Sequence, residues 1–149
     1  MNTLTYENLH ETKKHVSIQF PYNTYLCSIP LDFTQVPLHW HNDVEIIVIK
    51  KGCGIISVDT EPRVVKAGDI VLVRPGQLHS ISQHEKDCME YENILFQTSL
   101  LYSADSDSRT VGYFQPYFSL EYELPWLFDD TCFFHEALSS CIDAITTYR

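Results

Sequence analysis

His39-Trp40-His41-Asn42-Asp43-Val44-Glu45-Ile46-Ile47-Val48-Ile49 is the stretch on which the reading of this chain turns. In extended backbone, residues two apart point to the same side, so His39, His41 and Glu45 share one face while Leu38, Trp40 and Val44 take the other. Polar side chains on one face are what a solvent-facing strand would also show. Against that, Glu45–Ile49 continues with apolar residues on both faces, which marks a buried strand. A second histidine also waits downstream in a matching context. Gly68-Asp69 makes a turn, Ile70–Val73 a strand, and Arg74-Pro75-Gly76-Gln77-Leu78 turns the chain into His79.

Working outward, residues 16–96 alternate short β-rich runs with turn residues. Val16–Phe20, Tyr25–Ile29, Val44–Ile49, Gly54–Asp59, Arg63–Lys66, Ile70–Val73 and Tyr91–Phe96 are predicted strands. Thr60-Glu61-Pro62 and Ala67-Gly68-Asp69 are predicted turns. Many short strands with regular turn signals predict an all-β sandwich or barrel. Ser103–Ser108 is a polar loop, and Tyr113–Phe128 is aromatic and irregular, with Pro116 and Pro125 as breakers. The period then changes. Asp129-Asp130-Thr131 is a predicted helix start, and Phe134, Leu138, Cys141, Ile145 and Tyr148 follow at spacings of three and four, one apolar face of a C-terminal α-helix. Either a second chain or the protein's own barrel would cover that stripe, and the sequence favours neither. No glycine or proline ends the helix before Arg149, so a fragment of a longer protein is expected.

The 149 residues suit one domain, and an apolar share of 44% argues against disorder. A formal charge of -10, with no basic stripe, opposes direct binding to nucleic acid. No segment approaches the roughly 20 apolar residues of a membrane-spanning helix, and the N-terminus lacks the features of a signal peptide. The five cysteines are odd in number and form no Cys-x-x-Cys pair, which predicts reduced thiols and a cytoplasmic location.

Two segments match a known family. His39-Trp40-His41-Asn42-Asp43-Val44-Glu45 with Gly52 resembles the first cupin motif, and Gly68-Asp69 through Pro75-Gly76 to His79 resembles the second. The resemblance implies a double-stranded β-helix (jelly-roll) barrel in which His39, His41, Glu45 and His79 face inward near the axis. Phe33 stands where the first motif has glycine, and Gln83 where the second has asparagine. Three imidazoles and a carboxylate suit a borderline divalent ion such as Zn, Ni, Cu, Fe or Mn. The same residues would equally hydrogen-bond a polar ligand in a metal-free pocket.

More narrowly, Val36-Pro37-Leu38-His39-Trp40-His41 with Gly52-Cys53-Gly54, and Gly68 through Ser80, look like the sensor domain of AraC-type transcription regulators. That resemblance implies an effector-sensing and dimerising domain, a small-molecule effector such as a sugar, a homodimer formed by helices after the barrel, and DNA bound only through a C-terminal domain absent from this chain. It divides the chain into an arm or first strand at residues 1–20, a sensor barrel at 21–128, and the start of a dimerisation helix at 129–149. The arm would lie as a lid over the barrel mouth. Tyr91 and Asn93 take positions that face the effector. Of the remaining candidates, His10, His15 and His84 are expected at the surface, His135 on a helix face, Asp43 at the barrel edge, and Cys53 packed in a turn. The chain is expected not to be an enzyme. The rival reading is a free-standing cupin metalloenzyme, a dioxygenase or isomerase, in which an open metal position activates O₂, water or a carbonyl.

Overall fold

A computed structural model describes residues 1–17, 19–101 and 110–147. Its centre is one long strand, β3 (Val44–Val58), which belongs to two sheets. Over Val44–Gly52 it pairs antiparallel with β7 (Met89–Phe96), and over Glu45–Val48 with β5 (Ile70–Val73). β1 (Tyr22–Ile29) extends this sheet beyond β7, and β8 (Leu127–Phe128) extends it beyond β5. From Cys53 onward the same strand pairs instead with β4 (Glu61–Lys66) and β6 (His79–Gln83), and β6 carries β2 (Gln35–His39). The sequence predicts two strands where the structure has one, with the break at Lys50–Cys53. There the register shifts between Ile49 and Lys51, and Gly52 takes φ +70°. A bulge of this kind bends a strand without ending it, which lets β3 turn the corner between sheets.

The space between the sheets is filled by Ile29, Ile47, Ile49, Ile56, Val58, Val65, Val71, Val73, Ile81, Met89 and Tyr91. The two-faced apolar run in β3 has a separate cause. Its outward Val48 packs with Ile70, Ile94 and Ile142, and Ile46 and Leu138 lie against that cluster. Ile142 and Leu138 belong to α3 (His135–Thr147), so this helix covers the outer face of the first sheet.

Three local expectations are corrected. Val16, Ser17, Gln19 and Phe20 form no strand. The N-terminal segment is instead a short helix, α1 (Thr3–Glu7), followed by extended chain that pairs with the barrel at His10 and Trp40. The C-terminal helix begins at His135, not at Asp129–Thr131, where Asp129 closes a local turn by accepting from the Thr131 N–H at 2.9 Å. The irregular aromatic segment holds a π-helical turn (Thr110–Phe114) and α2 (Gln115–Phe118). Buried Arg74 donates to the Tyr117 and Tyr122 carbonyls at 3.1 and 3.0 Å and so fixes the segment to the barrel. The predicted Ser103–Ser108 loop and Tyr148 lie outside the described residues.

Candidate functional site

His39 ends β2 and His79 opens β6, and the two strands pair with these residues directly opposite each other. Glu45 lies one residue into β3. His41 stands in the loop between β2 and β3, so His39, His41 and Glu45 do not share one extended segment, and with His79 the four residues come from three strands and a loop. Their rings are close, with centroids 4.1 Å apart for His39 and His79, 4.9 Å for His41 and His79, and 5.7 Å for His39 and His41. One nitrogen of each imidazole lies within 4.8 Å of one nitrogen of each of the others, a spacing that would suit a single ion.

Backbone carbonyls set the tautomers. His39 Nδ1 is 2.8 Å from the Pro37 oxygen, His41 Nδ1 3.1 Å from that of Asp43, and His79 Nδ1 2.9 Å from that of Gln77. A carbonyl only accepts, so each Nδ1 carries the proton and each Nε2 turns a lone pair inward when the ring is neutral. Those lone pairs meet carboxylates. Glu45 Oε2 is 3.0 Å from His41 Nε2 and 2.9 Å from His79 Nε2, and Glu11 Oε2 is 3.7 Å from His39 Nε2. Acceptors facing acceptors at these distances require a cation between them, either protons on the rings or a metal ion. Carbonyl-held Nδ1–H with Nε2 free is also how ligating histidines are oriented. His79 is 1% exposed and its Nε2 makes no hydrogen bond of acceptable angle. The donor set therefore fits a divalent ion.

The electrostatics agree with shared positive charge. Burial pushes the Glu45 carboxyl up, but the close His41 and His79 imidazoles outweigh it and hold it well below the usual range. Burial lowers His79, and Glu45 more than offsets this, so it rises. His39 falls, because burial and the neighbouring His79 both disfavour its charge.

A cavity of about 280 Å³ opens from these four residues. Tyr91 and Asn93, at inward positions of β7, line it, together with Tyr25 and Cys27 of β1 directly across the register. Burial keeps the Tyr91 phenol neutral far above ordinary pH, and Asn93 Oδ1 is buried without a partner. Ile81, Leu95, Val36 and Phe33 supply apolar wall.

The family resemblance implied an arm over the barrel mouth, but none of the arm's residues was named as part of the cavity. Glu11, Lys13 and His15 line the same cavity. His15, expected at the surface, has its Nε2 2.9 Å from Glu11 Oε2 and its Nδ1 3.3 Å from the Tyr25 hydroxyl. An arm without regular structure has no period to read. Trp40 docks the arm: its N–H donates to the Leu9 carbonyl at 3.0 Å, its indole Nε1–H to the Tyr6 carbonyl at 2.7 Å, and its ring stacks on Tyr6. The Tyr6 hydroxyl donates to the Gly76 carbonyl at 2.7 Å. His10 is at the surface with its ring against Trp40. Asp43 is half-buried beside the site, and His135 is held to the Gly68 carbonyl at 2.7 Å.

Two antiparallel sheets joined through one bent strand, enclosing a histidine-lined cavity, define a cupin-type binding barrel. A cupin protein from Bacteroides fragilis shares the fold, with a TM-score of 0.50 and 24% identity, over 59% of this chain and 76% of that one. Residues 31–132, more than half of the chain, match the AraC-like ligand binding domain family, and the chain belongs to it. It is also 28% identical over 123 residues to the uncharacterized HTH-type transcriptional regulator YdeC of Bacillus subtilis. The match covers 82% of this chain and 41% of that protein. The chain is thus an AraC-like ligand-binding domain, and it spans less than half the length of the curated relative it matches. No helix among the described residues is long and apolar enough to cross a membrane.

Proposed function

We propose that the cavity binds a small hydroxyl-bearing effector, a sugar or related molecule, next to a divalent ion held by His39, His41, Glu45 and His79. The observation that carries this reading is the set of inward Nε2 lone pairs turned toward carboxylate oxygens at 2.9–3.7 Å, which a divalent ion would neutralise. Such an ion supplies a Lewis-acidic anchor for a ligand oxygen. The Asn93 carbonyl oxygen asks for a donor such as a hydroxyl. Tyr91 offers a ring face, and the apolar wall excludes water.

The arm is the element through which binding would be read out. Glu11, Lys13 and His15 form part of the cavity wall, so a ligand that fills the cavity touches arm and barrel together. Binding shifts an equilibrium only by the difference in affinity between two states, and a ligand with contacts on the arm has that difference built in. The longer regulator would dimerise through α3 and following helices and bind DNA through a part beyond this segment. The reading as a sensor rather than an enzyme rests on the family.

A thermal-shift screen of sugars and small hydroxy acids, with and without Mn²⁺, Ni²⁺ or Zn²⁺, tests the proposal. Ligand at a hundred times its dissociation constant adds about 2.7 kcal/mol to the folded state. The expected hit requires metal, disappears in His79→Ala, and weakens in Asn93→Ala while metal binding persists. A hit indifferent to His79→Ala contradicts it.

A further inference from the structure

Cys53, His84 and Asp87 lie together outside the cavity. We propose that they form a second metal site, one for a thiophilic divalent ion such as Zn²⁺. His84 and Asp87 alone would be an ordinary surface pair three residues apart, with Nδ1 and Oδ2 at 2.9 Å. What distinguishes the cluster is a thiol from another strand. Cys53 Sγ sits 3.0 Å from the same Asp87 Oδ2 and 3.8 Å from His84 Nδ1, across 34 and 31 residues of sequence. A tetrahedral zinc site, with Zn–S about 2.3 Å and Zn–N and Zn–O about 2.0–2.2 Å, sets neighbouring donors roughly 3.3–3.6 Å apart. The three donors stand within about half an ångström of that spacing.

The backbone prepares this arrangement. The 84–88 segment joins β6 to β7 and folds back on the bend of β3. The Asp87 N–H donates to the His84 carbonyl at 2.9 Å, and the Cys53 N–H to the Cys88 carbonyl at 3.2 Å. Gln83, standing where the second cupin motif has asparagine, donates its side-chain amide to the Asp87 carbonyl at 3.0 Å. Gly52 lets the two segments touch, since a Cβ there would fall 1.8 Å from the Cys88 carbonyl oxygen. Without metal, Asp87 Oδ2 accepts from both the thiol and the imidazole, and its carboxyl is held below its usual range by His84 and then Cys53.

Binding exchanges one proton for the ion. The Cys53 thiol releases its proton to solvent, and the His84 proton moves from Nδ1 to Nε2, leaving thiolate, imidazole nitrogen and carboxylate as ligands and water in the fourth position. That donor set favours Zn²⁺ or Co²⁺ over Mg²⁺ or Ca²⁺.

Co²⁺ separates this site from the cavity, because a thiolate ligand gives a near-ultraviolet charge-transfer band and the cavity set is nitrogen and oxygen. Cys27 lines the cavity, so Cys27→Ser serves as a control together with Cys88→Ser. Titration of the full chain should develop the band, and Zn²⁺ should abolish it. The band should vanish in Cys53→Ser, an isosteric change at a half-exposed position, and survive in both controls. His84→Ala and Asp87→Asn should each weaken Co²⁺ binding by at least roughly ten-fold. Absence of the band, its survival in Cys53→Ser, its loss in either control, or unchanged affinity in His84→Ala and Asp87→Asn would overturn the proposal.

Discussion

Glu45 is the residue on which the cavity's charge balance rests. It is 4% exposed and faces two imidazoles through a single oxygen. Removing one member of a buried charge pair costs about 3–5 kcal/mol, and Glu45→Gln should lower stability by that order in chemical denaturation. The pH dependence of the metal-free protein follows from the shifts. Glu45 is depressed from 4.5, so its contribution is complete above that value and fades as pH falls. His79 is raised from 6.5, so its contribution is complete below that value and fades as pH climbs through its folded value. His39 is lowered and acts in the opposite sense: its burial as a neutral ring favours folding above 6.5 and opposes it below. The Glu45–His79 pair is therefore isolated by the stability difference between wild type and Glu45→Gln. That difference should be widest between about 4.5 and 6.5 and narrow on either side. A difference independent of pH would contradict the pairing. At this scale the sequence was most legible. Parity put His39, His41 and Glu45 on one face, and the convergence of His79 with them, like the places of Tyr91 and Asn93, followed from the family resemblance.

At the scale of elements, the arm and α3 are held by identifiable contacts. Trp40→Ala removes the indole hydrogen bond to the Tyr6 carbonyl and the ring on which Tyr6 and His10 pack. Amide exchange over residues 3–15 should rise sharply in that variant while exchange in β3 stays slow. Tyr6→Phe deletes a single bond to Gly76 and should cost about 0.5–1.5 kcal/mol. On α3, Ile142 is 2% exposed against the outer face of the sheet. Ile142→Ala should cost about 2–5 kcal/mol, whereas Ile145→Ala, on the exposed side, should stay within about 0.5 kcal/mol. Equal effects would place the helix wrongly. The sequence stripe named Leu138 and Ile145 but not Ile142. Four-residue spacing from Leu138 reaches Ile142 directly, and the misplaced helix start hid it. Asp129 and Thr131 are typical capping residues, here satisfied by a turn six residues before the helix begins. Two predicted strands merged into β3, because glycines at 52 and 54 look like breaks in a sequence and serve here as a bend.

Over the whole molecule, the fold class and most strands were legible because alternation and turn chemistry are local. The arm over the barrel mouth came from the family resemblance alone, and the residues that dock it were not legible. Its docking depends on Trp40 and Gly76, residues distant in sequence whose meeting no periodicity records. That docking gives the cavity a wall from outside the barrel, made by Glu11, Lys13 and His15. Phe133, Phe134 and Ile145, on and beside α3, are exposed. The claim on which this account depends is that three imidazoles and Glu45 converge on a cation. Anomalous diffraction from crystals grown with Mn²⁺ tests it most directly. The account predicts a peak about 2.0–2.3 Å from the Nε2 atoms of His39, His41 and His79. Full Mn²⁺ loading at other positions, with no peak among those three nitrogens, would contradict it.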